Sequence, residues 1–240
     1  MLCLPPLVGC APSAKLRVQA DDRYRLAQSY LGNGSYLLAE QEIRKALELV
    51  PHESRYFELL GLVQQAQGRL QLAEDAYRMA LQQAEPPPSV LVNYSTLLLL
   101  RERFDEALAL AQRALQDPQY GRPAVAHINS GWAYFKKGAL RQAEEQFRAA
   151  LRYQPDLPEA HHNLGLVYAR LREHNRAIQE FREAIRFRPS YVEAHASMGN
   201  VLLEMGRKDE ARSAFERVIA LAPESEIATA SRQQLRRLTP

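Results

Sequence analysis

An alanine recurs along this chain at intervals that a single conventional core would not impose. Ala39, Ala73, Ala107, Ala143, Ala177 and Ala211 are separated by 34, 34, 36, 34 and 34 residues. Around each alanine the same arrangement returns. A first amphipathic stretch carries a small residue early on (Ala27, Gly61, Ser95, Gly131, Gly165, Gly199). A second carries the alanine and, in four units, a ring at Tyr77, Phe147, Phe181 or Phe215. A proline closes most units, as Pro155 does for the clearest copy, Ala124–Pro155, whose two halves meet at Gly138. Apolar residues three and four apart within each half predict amphipathic helices. One such helix pair cannot bury its own apolar face, so the copies must stack on one another. Small and large side chains at fixed positions are read as packing between the paired helices.

The remaining composition narrows the function classes. Thirty-one Lys and Arg are interleaved with 28 Asp and Glu for a net charge of +3, which argues against a dedicated nucleic-acid stripe. No apolar run reaches the roughly 18–20 residues that span a bilayer. The only cysteines, Cys3 and Cys10, stand at the N-terminus. The repeated body therefore holds no disulfide, thiolate metal site or cysteine nucleophile. There is no glycine-rich phosphate loop, zinc-protease helix motif or nucleophile elbow. His127, His161 and His195 occupy one repeat position, but helices pack about 8–10 Å apart and zinc–imidazole bonds are about 2 Å. They are expected to be partly buried helix residues with a polar tip. Glu144 and Glu145 are read as solvated helix surface. The expectation is a protein that is not an enzyme, with no cofactor, no metal and no small-molecule substrate.

The period, the small residues at Gly131, Ala143 and Ala150 and the large ones at Trp132, Tyr134, Leu140 and Phe147 resemble the tetratricopeptide repeat. That resemblance implies an all-α fold: a right-handed superhelix (α-solenoid) of six repeats with a C-terminal capping helix. The repeats are expected at 20–53, 54–87, 88–123, 124–157, 158–191 and 192–225, with the cap and tail at 226–240. Only the third is longer, through Asp117–Pro123, where two prolines and a glycine predict a rigid turn.

In tetratricopeptide proteins the second, fifth, sixth, ninth, twelfth and thirteenth positions face a ligand groove. Here the resemblance places Leu62, Leu99, Trp132, Phe135, Leu166 and Leu203 there at the ninth and twelfth positions. The fifth adds Val92 and Ile128, and the sixth adds Asn93, Asn129 and Asn163. The expectation is an apolar stripe beside a row of amides, suited to a protein segment. The lysine pattern of the branch that grips a C-terminal carboxylate is missing.

The first residues are read separately. Leu7-Val8-Gly9-Cys10 resembles the bacterial lipobox. This implies a signal segment at 1–9, a lipid on Cys10 and a tether over 10–19, and Ala11 in place of Asp implies outer-membrane sorting. The nine residues before Cys10 contain Pro5-Pro6 and no Lys or Arg, unlike a complete export signal. Two readings stand: a lipoprotein signal whose true start lies upstream, or an apolar tail with a chance match.

Six repeats behind that cysteine, Val92-Asn93-Tyr94 in the third repeat and Ala114-Leu115-Gln116-Asp117-Pro118-Gln119-Tyr120 before the fourth resemble one group of outer-membrane lipoproteins. It is the pilotin group of type IV pilus systems, which includes PilF, PilW and the myxobacterial Tgl type, and it is the Tgl type that the sequence is expected to resemble most. The resemblance implies a lipid-anchored periplasmic scaffold that binds secretin subunits and promotes their multimerisation, and so pilus biogenesis and motility. Two alternatives stand beside it: a periplasmic or cytosolic tetratricopeptide adaptor with an unrelated protein partner, or a repeat region that regulates or targets an enzyme.

Overall fold

The computed structural model describes residues 13–83, 86–117 and 120–238. Cys3, Cys10, the 1–9 segment and Pro118-Gln119 lie outside the described residues. The chain divides into two compact units, Met1–Leu97 and Leu98–Pro240. Among the described residues every regular element is an α-helix.

The first unit contains α1 (Ala14–Gly32), α2 (Tyr36–Leu49), α3 (Ser54–Ala66) and α4 (Leu70–Leu81). The division falls inside α5 (Pro88–Leu100). The second unit continues with α6 (Phe104–Leu115), α7 (Pro123–Lys136), α8 (Leu140–Tyr153), α9 (Pro158–Arg170) and α10 (His174–Phe187). It ends with α11 (Val192–Glu204), α12 (Lys208–Leu221) and α13 (Glu226–Leu238). The principal packed pairs are α1 with α2, α3 with α4, α7 with α8, α9 with α10, and α11 with α12. Within each unit the first helix of one pair also packs on the second helix of the preceding pair, the nearest-neighbour pattern of a repeat array.

The first helix begins six residues earlier than the repeat register suggests. Residues 14–19, assigned above to the tether, are helical. Ser13 supplies the reason: its Oγ accepts the backbone N–H of Leu16 at 3.3 Å, a side-chain N-cap that starts the helix within the Ala/Pro/Ser stretch.

All six recurring alanines are fully buried. The glycine that four of the first helices carry is equally constrained. A Cβ on Gly131 would lie 2.7 Å from the Phe147 ring, and one on Gly165 would lie 2.6 Å from Phe181. Gly61 stands in the same relation to Tyr77, and Gly199 to Phe215. In the first repeat the exchange runs the other way: Ala27 replaces the glycine and the smaller Ile43 replaces the ring, both fully buried in one cluster.

The turns inside the pairs share one geometry. Gly138 has φ +77°, its N–H donates to Phe135 O, and Ala139 N–H donates to Tyr134 O. This left-handed closure spends the last carbonyls of the helix. Gly34, Gly68 and Gly206 repeat it, whereas Glu102 (φ 58°) and Arg172 (φ 63°) adopt it without being glycine.

Repeats are also tied by buried carboxylates. Glu144 is not solvated surface, as its place in a Glu-Glu pair suggested. It is buried and accepts Tyr168 Oη at 3.0 Å and Arg176 Nη2 at 3.1 Å from the next repeat. Burial would raise its pKa, but the bonds from Tyr168, Arg176 and Arg141 outweigh that and hold the carboxyl below its ordinary value. Glu145 beside it is exposed, as expected. In the first unit, Glu74, at the repeat position of Glu144, accepts Tyr94 Oη at 2.9 Å from the next repeat, although Tyr94 stands four positions earlier in its repeat than Tyr168 does.

The last helix closes the array. Ile227 and Ala228 of α13 join Val218 and Ala196 in an apolar cluster, while Arg236 and Arg237 stay exposed. Terminal units need such a polar outer face.

Candidate protein-binding face

The face made by the first helices of the pairs is built differently in the two units. In the second unit it is apolar. Ile128 and Trp132 of α7, Leu166 of α9 and Leu203 of α11 are partly buried and rest on one core cluster. Leu99 and Asn163 are also partly exposed. Trp132 stacks on Phe135, with ring centroids 5.3 Å apart and planes 22° from parallel. Phe135 is itself 6% exposed, and the Arg170 guanidinium lies 4.4 Å from its ring centroid. A cation over an aromatic face in a partly dry site is attractive. Phe135 is therefore a platform beneath Trp132 rather than a contact surface.

Burial removes two more residues from the expected surface. Val92 is 3% exposed and Asn129 5% exposed, so both support the face from below. The amide row is thus not one continuous peptide-facing ladder. Asn93 is partly exposed, and its Nδ2 donates to Glu58 Oε1 at 2.7 Å.

The first unit presents charge and one ring, at Asp21, Arg55 and Tyr24, over the buried ring of Tyr56, none of which the sequence reading selected. Asp21 of α1 accepts Tyr56 Oη at 2.5 Å and Arg55 Nη2 at 2.6 Å, both from α3. The Arg55 guanidinium sits 5.5 Å from the Tyr24 ring centroid and 5.2 Å from that of Tyr56. Tyr24 and Tyr56 are 5.3 Å apart. Leu62 lies partly buried against the same cluster that Tyr24 flanks. Glu58 is drawn in by this environment: burial pushes its carboxyl upward, and bonds from Ser89 and Asn93 only partly offset that. The signal was present in the spacing. Asp21 and Arg55 are one repeat apart at the second position, and Tyr24 and Glu58 are one repeat apart at the fifth.

The three aligned histidines have local partners. His161 Nε2 donates to Pro155 O at 2.9 Å, and its Nδ1 lies 2.7 Å from Glu180 Oε2. Burial alone would depress its pKa, but Glu180 and the Pro155 carbonyl raise it overall. His195 Nε2 donates to Pro189 O at 3.1 Å, and His127 Nδ1 is 2.9 Å from Gln146 Oε1. In two successive repeats the imidazole thus ties a helix to the proline that closes the unit before it. The neighbouring His162 behaves differently. It is buried, its Nε2 is 3.1 Å from Ser197 Oγ, and desolvation pushes its pKa down to about 4.

Against this geometry the comparisons are direct. Tetratricopeptide-repeat family profiles match residues 24–89 and 128–192, and a second such profile matches 168–235. The chain belongs to the tetratricopeptide-repeat family. Repeats of this family form protein-interaction scaffolds.

Among individual tetratricopeptide relatives, the type IV pilus assembly protein PilF of Pseudomonas aeruginosa is 31% identical over 161 residues. That similarity covers 63% of this chain and 64% of PilF, so the match spans a little under two thirds of the relative's length. A CTR9 homologue of Arabidopsis thaliana is 30% identical over 125 residues, which is 52% of this chain and 11% of that protein. The fold matches a solved structure of P. aeruginosa PilF with a TM-score of 0.79 at 24% identity, covering 92% of this chain and 99% of the other. It matches PilW, a type IV pilus biogenesis factor, with a TM-score of 0.81 at 22% identity, covering 88% and 97%. The chain is thus a tetratricopeptide protein related in sequence to PilF and sharing its fold with PilF and PilW.

Proposed function

We propose that this protein is a non-enzymatic scaffold of type IV pilus assembly. On this reading it is a lipoprotein held on the periplasmic face of the outer membrane through Cys10, and it binds secretin subunits while they multimerise. The similarity to PilF carries the proposal. The partly exposed apolar surface at Ile128, Trp132 and Leu166 supplies a place to hold a protein segment, since apolar area rimmed by polar groups favours protein association. Anchoring by lipid raises the effective concentration of a weakly held partner, so modest affinity is sufficient. The scaffold makes and breaks no covalent bond; its work is to hold an assembly-competent surface and keep it from misassociating.

The test is the amount of heat- and detergent-resistant secretin multimer in cells lacking the protein. Complementation would use the intact chain, Cys10→Ala and Trp132→Ala. Multimers absent without the protein, restored by the intact chain and poorly restored by Cys10→Ala are the expected result. Normal multimers in its absence would remove the secretin role. Full rescue by Cys10→Ala would remove the lipid anchor from it.

A further inference from the structure

The apolar face of the second unit ends at a cavity of about 370 Å³ between α11 and α13. Its walls come from the groove positions of these helices: Glu193, Ala196, Ser197 and Asn200 on one side, Ala230 and Gln234 on the other. Small residues make the space, and His162 and Phe215 reach it from α9 and α12.

The preceding repeat shows what this space is matched to. One period earlier, Glu159 occupies the position of Glu193, and His162 that of Ala196. There the protein supplies a cation to the carboxylate from its own chain. Arg188 Nη2 binds Glu159 Oε1 at 2.5 Å, and its guanidinium lies 4.9 Å from the Tyr191 ring centroid. Tyr191 in turn packs against His162, with centroids 5.1 Å apart. In the last repeat the residues equivalent to Arg188 and Tyr191 are Ala222 and Ser225. Ser225 has another duty, because its Oγ accepts the Ala228 N–H at 3.2 Å and so caps α13. Glu193 is exposed, no Lys or Arg pairs with it among the described residues, and no cationic residue lines the cavity.

We propose that this cavity receives an arginine or lysine side chain from an extended segment of a protein partner. The charged head would take the place at Glu193 that Arg188 takes at Glu159. The aliphatic stem would lie along Ala196, Phe215 and Ala230. A guanidinium that meets a carboxylate on one side and apolar surface on the other satisfies both parts of an arginine side chain. His162 stays neutral at pH 7 and adds no repulsive charge. The proposal rests on the reading that this face holds a protein segment, and it specifies one feature of that segment.

The test uses the purified full chain and the probe acetyl-Ser-Gly-Arg-Gly-Ser-amide. Versions carrying lysine, citrulline or norleucine in place of the arginine serve as comparisons. Binding is read from amide shifts of Ser197, Asn200 and Gln234. The arginine and lysine peptides should shift these amides, and the neutral citrulline and norleucine peptides should not. Glu193→Gln should weaken the arginine peptide about tenfold, the scale of one charge-assisted bond. Ala222→Arg should abolish binding by restoring the cation of the previous repeat, with an unchanged melting temperature. Equal binding of the norleucine peptide, or binding indifferent to both Glu193→Gln and Ala222→Arg, would overturn the proposal. The titration does not depend on secretin assembly in cells, so the two readings fail separately.

Discussion

The first helices of the two units differ in which of their outward positions carry charge and which carry apolar side chains. In the first unit the second and fifth positions hold Asp21, Arg55 and Tyr24, joined by an ion pair and a cation–π contact, with Glu58 beside them bonded instead to Asn93. In the second unit the fifth and ninth positions hold Ile128, Trp132 and Leu166 over a buried Phe135 platform. The helices beneath are alike, because their spacing is set by the buried alanines and by the small residues of the first helices. A repeat array therefore fixes where side chains point and leaves their chemistry free to change from unit to unit.

The largest effect should come from the apolar side of the comparison. Phe135→Ala removes a core ring from beneath Trp132 and should destabilise the second unit by about 3–5 kcal/mol in urea unfolding. Trp132→Ala, which trims a partly exposed ring, should cost no more than about 1–2 kcal/mol while reducing partner binding. If the two substitutions destabilise equally, Trp132 is a core residue and the apolar face has lost its main contact.

The next effect depends on pH and belongs to His162. Its folded pKa is about 4, below the ordinary value of about 6.5. As pH falls from 6.5 towards 4 the unfolded chain binds a proton that the folded chain refuses, so stability declines across that window and levels off below it. The loss approaches roughly 3 kcal/mol at the acid end. His162→Gln should flatten this part of the stability–pH curve relative to the parent. Parallel curves would mean that His162 titrates normally in the folded chain.

The polar side should respond less. Tyr56→Phe deletes one donor to Asp21 but leaves Arg55 on the same carboxylate, in a partly solvated cluster. The expected cost is about 1 kcal/mol, seen in urea unfolding of the first unit. A cost as large as that of Phe135→Ala would show that the Tyr56 hydroxyl bond, and not the Arg55 ion pair, holds Asp21 in place.

Much of the fold was written in periodic residues. Six alanines and the glycine–ring pairs located every helix pair, because tight packing allows so little at those positions that the chain must repeat itself there. The binding face was less legible for the same reason. Groove positions are free of that packing rule, so a consensus register says which residues point outward but not how deeply each is covered. Phe135, Val92 and Asn129, which that register points outward, are buried. The Asp21–Arg55 contact needed two residues 34 apart to be recognised as neighbours across a repeat. The cavity beside Glu193 is made by small residues, which carry no signal until Arg188 and Ala222 are compared one period apart. Ser13 was legible as a capping residue type, but its setting in a polar linker hid the helix it starts.

The smallest expected effect concerns the turns, where the units also differ. Both turns inside the first unit close on glycine, at Gly34 and Gly68, whereas the second unit places Glu102 and Arg172 at positive φ beside Gly138 and Gly206. A side chain in the left-handed region brings Cβ against the following carbonyl, at roughly 1–2 kcal/mol for an L-residue. Glycine relieves that strain but gives the unfolded chain more freedom, which offsets part of the gain. Arg172→Gly also removes an ion pair to Glu204, 2.7 Å long, but both side chains are more than half exposed and the pair contributes little. Glu102→Gly and Arg172→Gly should each therefore stabilise the second unit by about 0.5–1 kcal/mol, read as a higher urea midpoint with an unchanged slope. The reverse exchange, Gly68→Arg in the first unit, should lower the midpoint by a similar amount. If Glu102→Gly and Arg172→Gly instead destabilise, these side chains hold their turns through contacts that outweigh the backbone strain, and the glycines elsewhere are a convenience of the repeat rather than a requirement of its geometry.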